Sequence, residues 1–379
     1  MQAKTDYDVI VIGVGGMGGA ALRALARRGA RVCGIERFGI AHDRGSSHGA
    51  TRIIRKAYFE HPDYLPLLHR AYDLWEELEG VTGADLLHRC GFLTCGAPDS
   101  ATIQGLVRCY GAHDLPHERL DAGDLRCRYP QLSLEGGQVG FFDPLGGYLR
   151  VEECVRCLVQ EAVAAGAELV LDEPVESWEE RDGRLVVVSR GGERTAAALV
   201  LTTGAWAAAE LARLGVAAEV WRKVVFWYRA AEPERYLETV FPTFYVETDY
   251  GHFYGFPAID ERGVKVAEHA AVTPIDHPGA IERQLLPGDE PPVRRFLAAA
   301  LPGVEPVRTA HSVCMYTITP DRHFVVDRHP RHAAVAIGGG FSGHGFKFAP
   351  VIGEALADLA LEGRSGLPIG FLGLDRLGG

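Results

Sequence analysis

The strongest constraint on the fold lies within the first 36 residues, where a glycine-rich turn separates two apolar segments. Residues 7–12 read YDVIVI, the β-branched pattern of a strand buried on both faces of a parallel sheet. The turn at residues 13–18 reads GVGGMG and leads into a helix predicted over residues 19–28, which Gly29 ends. A second strand, residues 31–36, ends in an acidic residue. The segment therefore predicts a β-α-β unit.

This unit is typical of dinucleotide-binding proteins. Gly13 and Gly15 permit a tight turn and a close approach of a pyrophosphate, which the amides of the following helix can bind, and Gly18 lets that helix pack on the strand. Glu36, 21 residues after Gly15, can accept hydrogen bonds from ribose hydroxyls and argues against a 2′-phosphate. The unit does not choose between FAD and NAD. Its candidate cofactor-binding residues are Gly13, Val14, Gly15, Gly16, Met17, Gly18, Glu36 and Arg37.

Two later segments repeat the order of an apolar strand followed by a turn of small residues. Residues 198–206 read ALVLTTGAW. Residues 333–337 form a predicted strand before a glycine-rich turn, and a helix then reaches about Leu361. Val175 is predicted in an edge position. These segments indicate that the nucleotide-binding unit is discontinuous in the chain.

Stretches of alternating apolar and polar residues lie between the nucleotide-type segments, and such alternation is typical of an antiparallel sheet. They include residues 244–246, 252–256 and 264–266. The predicted fold class is α/β (α+β), with a Rossmann-like dinucleotide-binding domain and an antiparallel β-rich substrate domain. The predicted boundaries are residues 1–85, 150–215 and 320–379 for the first domain, and 86–149 and 216–319 for the second.

Composition excludes several classes of protein. The chain has 39 basic and 50 acidic residues, so its net charge of −11 provides no basic surface for nucleic acid or anionic lipid. Its eight cysteines are scattered, unlike the framework of a small secreted domain, and no stretch is apolar enough to predict a membrane span. A cytoplasmic location is expected. Lysine occurs only five times, so Lys265 and Lys347, each flanked by apolar residues, invite a functional role.

Six motifs resemble those of the monomeric sarcosine oxidases and N-methyltryptophan oxidases, within the D-amino acid oxidase-like flavoproteins. They fall in matching order and are GVGGMG (13–18), SSHGATRIIRKAY (46–58), FYGFP (253–257), GVKVAEH (263–269), VCMYTITPDRHFVVD (313–327) and GGGFSGHGFKFAP (338–350). The resemblance implies covalent FAD and oxidation of sarcosine or a related N-methyl amino acid by O₂. The products would be the primary amino acid, formaldehyde and H₂O₂. It also implies a monomer with small-molecule partners, and neither a nucleic acid nor a membrane is expected to bind.

The cysteine in VCMYT is the candidate attachment site. By its strand pattern alone Cys314 would be a small buried hydrophobe. The resemblance instead implies a thioether from Cys314 to the 8α-methyl group of the flavin, and a thiolate is the nucleophile such a bond needs. Cys154 and Cys157 form a rival CxxC motif, but no second pair accompanies them and they share one face of a predicted helix. We interpret that pair as packing.

Three cations have roles implied by the resemblance. Arg55 and Lys347 match the pair that binds the substrate carboxylate. The arginine can donate two hydrogen bonds to a carboxylate, and the lysine adds a compact positive charge. Without the motif, Arg55 would be read as a salt-bridge residue. Lys265 matches a lysine held near flavin N5, where a fixed cation promotes the reaction with O₂.

The remaining candidates line the same region in the resembling family. The candidate catalytic residues are Lys265, His269, Arg52, Tyr254 and Tyr316, and the candidate substrate-binding residues are Arg55, Lys347, Tyr245 and His269. The further cofactor-binding candidates are Ser46, His48, Arg52, Val175, Thr203, Gly204, Trp206, Cys314 (covalent), Met315, Gly340, Phe341, Gly343, His344, Gly345, Phe346 and Lys347. No metal site is predicted.

Departures from the family pattern leave the amine open. Tyr245 stands where a smaller or flexible residue is expected, and Lys56 and Phe59 replace a histidine and a glycine near the access loop. The substrate could be sarcosine, a bulkier N-methyl amino acid, or a cyclic imino acid such as pipecolate or proline. Three other functions compete: a flavin dehydrogenase with a non-O₂ acceptor, a non-catalytic flavin-binding subunit, and a nicotinamide dehydrogenase. The last leaves Cys314 and the GFSGHGFKF motif without a role.

Overall fold

The computed structural model describes residues 6–58, 60–134, 137–269, 271 and 273–377, so Phe59 lies outside the described residues. The strands are β1 (Tyr7–Ile12), β2 (Val32–Ile35), β3 (Thr51–Ile54), β4 (Leu87–His88), β5 (Phe92–Gly96), β6 (Glu118–Leu120), β7 (Val139–Asp143), β8 (Gly147–Arg150), β9 (Glu168–Val170), β10 (Val175–Arg181), β11 (Arg184–Ser189), β12 (Gly192–Leu201), β13 (Glu219–Ala230), β14 (Thr243–Thr248), β15 (Gly251–Phe256), β16 (Val264–Glu268), β17 (Pro274–Ile275), β18 (Val304–Ile318), β19 (Val325–His329) and β20 (His332–Gly339). The α-helices are α1 (Gly16–Arg27), α2 (Tyr64–Thr82), α3 (Ala101–Ala112), α4 (Ala122–Arg128), α5 (Val151–Ala164), α6 (Ala207–Arg213), α7 (Pro291–Ala300) and α8 (Ala349–Glu362).

The first large sheet is built around β1. This strand pairs in parallel with β2 on one side and β12 on the other, and β9 and β20 extend the parallel arrangement. Val9 and Val11 pack against α1, α2 and α8, whereas Ile10 and Ile12 pack with residues of β11, β12 and α6. Burial on both faces explains why the strand reads as a continuous apolar run. The edge strand β10 begins at Val175, as predicted.

The second large sheet has the order β17-β13-β16-β15-β14-β5-β7-β6, and β18 pairs with β13 on the other side from β16. Its pairs are antiparallel except for β14 with β5. The three stretches of alternation predicted from the sequence lie within β14, β15 and β16. The predicted combination of a Rossmann-like sheet and an antiparallel β-rich sheet is therefore confirmed. A small sheet of order β3-β8-β4 carries the TRII segment.

Several predicted boundaries differ from the structure by a few residues. Helix α1 begins at Gly16, not at residue 19, because the amide of Gly19 already donates to the carbonyl of Gly15 at 2.8 Å. Strand β20 begins one residue earlier and ends two residues later than predicted. The packing interpretation of Cys154 and Cys157 is confirmed, since both lie on α5 and are buried among apolar side chains. Among the described helices, none is both long and apolar enough to cross a membrane.

Candidate active site

An elongated cavity of about 870 Å³ runs from the turn after β1 to strands β14, β15 and β18. The candidate residues that line it are Gly13, Gly15, Gly16, Met17, Glu36, Arg37, Ser46, Arg52, Arg55, Val175, Thr203, Gly204, Trp206, Tyr245, Tyr254, His269, Met315, Tyr316, Phe341, Gly343, His344, Gly345, Phe346 and Lys347. The candidates that do not line it are Val14, Gly18, His48, Lys265, Cys314 and Gly340. The first group comes from distant parts of the chain, so the fold brings most candidates to one cavity.

The glycine-rich turn forms one end of the cavity. Gly13 has φ +89°, and a Cβ there would lie 2.7 Å from the carbonyl oxygen of Thr202. A Cβ on Gly18 would lie 1.8 Å from the carbonyl oxygen of Gly13. Glycine at position 13 therefore lets the turn lie against Thr202, and glycine at position 18 lets the first turn of α1 approach the end of β1. Gly16 and Met17, in this first turn, line the cavity, where helix N-terminal amides can donate to a phosphate, and the amide of Gly16 donates to Oγ of Ser47 at 3.3 Å.

The predicted ribose-binding acid lies at the end of β2. The carboxylate of Glu36 is buried and accepts from the amides of Val14 at 2.8 Å and Phe38 at 3.0 Å. These bonds fix its orientation at the cavity wall. Nearby, the guanidinium carbon of Arg37 lies 4.6 Å from the ring centroid of Trp206. The indole Nε1 of Trp206 is buried without a hydrogen-bond partner among the described residues, so this side of the cavity offers an unused donor.

Cys314 occupies a cationic setting on β18. Its side chain is buried, and Nδ1 of His48 and Nη2 of Arg52 each lie 3.8 Å from Sγ. Burial raises the pKa of the thiol, but His48, Arg52 and Lys265 outweigh it and lower the pKa to about 6. Burial raises the pKa of Cys33, by contrast, to about 11. The thiolate form of Cys314 therefore predominates at neutral pH, as a nucleophile requires.

Lys265 lies behind the cavity wall on β16. Its Nζ donates to the carbonyl oxygens of Gly49 at 2.6 Å and Thr51 at 3.1 Å, and to Oγ1 of Thr51 at 3.0 Å. Burial and the nearby charge of Arg52 lower the pKa of Lys265 well below its usual value, although Cys314 opposes them. The structure thus places this lysine beside the segment that carries Arg52 and next to the candidate attachment cysteine.

The predicted carboxylate-binding pair lies in the same cavity together with an acid that the sequence analysis did not single out. Nη2 of Arg55 donates to both carboxylate oxygens of Glu60, at 2.7 and 2.9 Å. Nζ of Lys347 donates to the carbonyl oxygen of His344 at 2.8 Å. Burial lowers the pKa of Lys347 to about 7, with Arg55 acting in the same direction and Glu60 opposing both. The salt bridge that the sequence allowed for Arg55 is therefore present, within the cavity.

Aromatic side chains surround His269 at the far end. The centroid of its ring lies 5.9 Å from that of Tyr245 and 6.1 Å from those of Tyr254 and Tyr316. Burial, followed by the charge of Lys223, lowers the pKa of His269 to about 3, so the imidazole is neutral. The hydroxyl of Tyr245 lies 3.0 Å from Nδ1 of His252, which fixes the ring of Tyr245 as a wall of this part of the cavity.

Two acids important to the site carry no local sequence signal. Glu152, at the start of α5, accepts from the amide of Gly49 at 2.7 Å and from that of Ala50 at 3.1 Å. It thereby holds the turn next to His48. Glu60 follows Arg55 by five residues, and that spacing within an irregular segment predicts no particular contact. Only the folded arrangement shows that either acid belongs to the site.

The residues present fit a flavin dinucleotide. The amides of α1 suit a pyrophosphate, and Glu36 and Arg37 stand where a ribose and its base would follow. Trp206, whose buried indole Nε1 has no hydrogen-bond partner among the described residues, lines the same cavity. At the other end, a buried thiolate at Cys314 suits covalent attachment.

Comparisons with known proteins agree with this geometry. Residues 8–359 match the family model described as FAD dependent oxidoreductase. The chain is 42% identical to the monomeric sarcosine oxidase of Streptomyces avermitilis, with 98% of each chain covered. It is 35% identical to the N-methyl-L-tryptophan oxidase of Yersinia pestis, over 98% of this chain and 99% of that protein.

A solved structure shows the same fold. NikD, described as an unusual amino acid oxidase essential for nikkomycin biosynthesis, is 28% identical, with a TM-score of 0.85 and 97% of each chain covered. Identity at this level over whole chains, together with the family model, establishes descent as well as fold. The chain belongs to the FAD-dependent oxidoreductase family, in the group of the monomeric sarcosine oxidases and N-methyltryptophan oxidases.

Proposed function

We propose that this chain, with FAD attached through Cys314, oxidises the secondary amine of sarcosine or a related N-methyl amino acid and passes the electrons to O₂. One observation carries the proposal: a single cavity reaches from a glycine-rich phosphate cradle to two buried cations, Arg55 and Lys347, with the reactive Cys314 beside it. A carboxylate-bearing amine suits such a pair of cations. The sarcosine and N-methyltryptophan oxidases among its relatives support the choice of amine.

Bound FAD would supply the redox chemistry, as the acceptor of a hydride equivalent from the N-methyl carbon and the donor of two electrons to O₂. The substrate imine adds water and breaks down to formaldehyde and the primary amino acid. O₂ takes the two electrons and two protons and becomes H₂O₂. The protein's part is to bind, orient and set charges.

Arg55 and Lys347 neutralise the substrate carboxylate and orient the amine. Because Glu60 already occupies one side of Arg55, the incoming carboxylate exchanges one anionic partner of the guanidinium for another. Cations near the amine also disfavour its protonated form, and only the neutral amine can give up a hydride. The neutral ring of His269 adds no further charge at this end of the cavity.

Oxygen uptake by the purified holoenzyme tests the proposal. Sarcosine, a bulky N-methyl amino acid, L-pipecolate and L-proline are compared, and H₂O₂ and formaldehyde are measured. N-methyl substrates are expected to give both products in equal amounts. Preference for a cyclic imino acid would replace the proposed substrate. Reduction of a dye without H₂O₂ would identify a dehydrogenase with another acceptor.

Removing either carboxylate-binding cation is expected to weaken substrate binding. A hydrogen bond to a charged group is worth about 1.5–3 kcal/mol, so Arg55→Met and Lys347→Met should each raise KM and the Kd for acetate about 10- to 100-fold. Flavin absorbance reports acetate binding. Arg70→Met, which removes an arginine paired with Glu354 on the surface, is the matched control. Unchanged Kd values in both cavity variants would contradict the assignment.

Covalent attachment is expected to follow the ionisation of Cys314. Attachment would replace the S–H bond of Cys314 and one C–H bond of the 8α-methyl group by a C–S bond, and O₂ would take up the two electrons and two protons released. Since only the thiolate attacks, the rate of FAD incorporation into apoprotein should rise with pH through a midpoint near 6. His48→Gln removes a group that lowers this pKa, so the midpoint should move to higher pH. A pH-independent rate would contradict this order of events.

The architecture around this site is also proposed. We propose that the chain acts as a monomer in the cytoplasm, and that its cofactor domain comprises residues 1–85, 150–215 and 320–379. Residues 86–149 and 216–319 would then form the substrate domain. The name of the sarcosine oxidase relatives supports the monomer. Sedimentation equilibrium tests the oligomeric state, cell fractionation tests the location, and limited proteolysis tests the boundaries.

A further inference from the structure

A fourth buried cation lies next to the cavity and has no part in the function proposed so far. Lys223 on β13 is 4% exposed. Its Nζ donates to the carbonyl oxygen of His269 at 2.9 Å and to that of Ala271. Both carbonyls belong to the segment that follows β16. Lys223 therefore ties the segment carrying His269 to the neighbouring strand.

The same lysine faces the site side of the sheet. It stands opposite Cys314 in the antiparallel register of β13 and β18, so the two side chains emerge on the same face. Its Nζ lies 5.3 Å from the ring centroid of Tyr316, whose ring is 6.1 Å from that of His269. Lys223 thus contacts two cavity-lining residues, through the backbone of one and the ring of the other.

Charged and aromatic side chains from the neighbouring elements surround Lys223. Burial is the largest effect and lowers the pKa of Lys223 to about 8. Glu268 on β16 stabilises the cation, whereas Arg322, in the turn after β18, destabilises it. Lys223 in turn lowers the pKa of His269, as the second contribution after burial. Tyr316 from β18 and Trp221 from β13 present ring faces to it.

We propose that Lys223 is a positioning residue for amine oxidation: its ammonium group holds the backbone at His269 and Ala271, so that the His269 ring faces the substrate in one orientation. This inference rests on the proposed function, because it assigns His269 to the substrate end of the cavity. It concerns only the reduction of the flavin by substrate.

A pH dependence follows from the ionisation of Lys223. The cation predominates below a pH of about 8 and the neutral amine above it. Hydrogen bonds from a charged donor are roughly twice as strong as those from a neutral one. The tether therefore weakens as the pH rises, and the rate of flavin reduction at saturating substrate should fall on the alkaline side.

Anaerobic stopped-flow reduction of the holoenzyme by saturating sarcosine, from about pH 6 to 10, tests the proposal. Wild type should show an alkaline decline with an apparent pKa near 8. Lys223→Met should slow reduction about tenfold or more at neutral pH and abolish that decline. Lys223→Gln keeps a hydrogen-bond donor without the charge, so it should recover part of the rate and still lack the decline. Arg229→Met, at an exposed position of the same strand, should behave as wild type.

Controls separate the possible failures. Covalent flavin content and thermal stability show whether each variant folds, and the Gln variant decides the matter if the Met variant does not fold. Wild-type rates and an unchanged alkaline decline in Lys223→Gln would overturn the proposal. If no amine reduces the wild-type flavin, the proposed function fails. The inference about Lys223 then fails with it, because it concerns only flavin reduction by substrate, whereas normal reduction of wild type with an unchanged alkaline decline in Lys223→Gln overturns the inference alone.

Discussion

Denaturing the purified protein in SDS is expected to leave its yellow, fluorescent flavin on the polypeptide, and Cys314→Ala is expected to release it. The thiol is buried beside His48 and Arg52, and its pKa of about 6 makes it a thiolate at neutral pH. Denaturation breaks every non-covalent contact with FAD, so only a covalent bond retains the flavin. The expected change is from nearly complete retention to none, measured by in-gel fluorescence.

A second cysteine provides the matched control. Cys95 is also buried in the second large sheet. Burial raises the pKa of its thiol, and no nearby cation opposes that effect as it does at Cys314. Cys95→Ala should therefore keep its flavin through denaturation. Retention of flavin in Cys314→Ala, or its release from wild type, would contradict attachment at Cys314. Release from wild type would leave the fold and the family unchanged and reduce Cys314 to a packing residue.

The sequence predicted structure most accurately where the interacting residues are close together in the chain. The turn at residues 13–18 and Glu36 lie within one β-α-β unit, and the constraint on Gly18 arises inside that unit, from the carbonyl oxygen of Gly13. The steric requirement for glycine is therefore visible as a short motif. The edge position of Val175 was also predicted from local sequence, because the residues of its own strand, β10, are mostly exposed and polar.

The sequence did not predict contacts between residues that are far apart in the chain. Glu152 supports Gly49 across 103 positions, and Lys223 supports His269 across 46. These contacts depend on how the turn before β3 meets α5 and on the register of β13 with β16, and no local pattern encodes either. The scarcity of lysine directed attention to Lys265 and Lys347. It applied equally to Lys223, whose flanking residues are partly charged and so gave no apolar signature.

Three buried lysines with different partners illustrate how one residue type can serve separate steps. Lys347 lies with Arg55 and Glu60 in the cavity, Lys223 holds a backbone segment, and Lys265 donates only to neutral oxygens in its hydrogen bonds. Burial is the largest effect lowering the pKa of each, and a nearby carboxylate opposes it in each case: Glu60 at Lys347, Glu268 at Lys223, and Glu152, together with Cys314, at Lys265. A desolvated cation interacts more strongly with any anion that forms beside it. Lys265 matches the lysine that the related family holds near flavin N5, so we propose that it is the one that stabilises a transient negative charge on oxygen.

Replacing Lys265 by methionine is accordingly expected to slow reoxidation by O₂ about 10²- to 10³-fold, while anaerobic reduction by substrate keeps its rate. The magnitude is that of removing one preorganised electrostatic group from a transition state in which charge develops. Methionine keeps most of the side-chain volume, so packing around Thr51 should survive. Separate stopped-flow measurements of reduction and of reoxidation give the two rates.

The contrast between two lysines makes this prediction sharp. Lys223→Met should impair reduction and spare reoxidation, whereas Lys265→Met should do the reverse, although both residues are buried on adjacent strands of one sheet. A general loss of structure would slow both steps in both variants and would contradict the separate roles. Equal reoxidation rates in Lys265→Met and wild type would exclude the lysine from the reaction with O₂. If wild type itself is reduced by substrate but not reoxidised by O₂, the acceptor is another molecule and Lys265 has no such role.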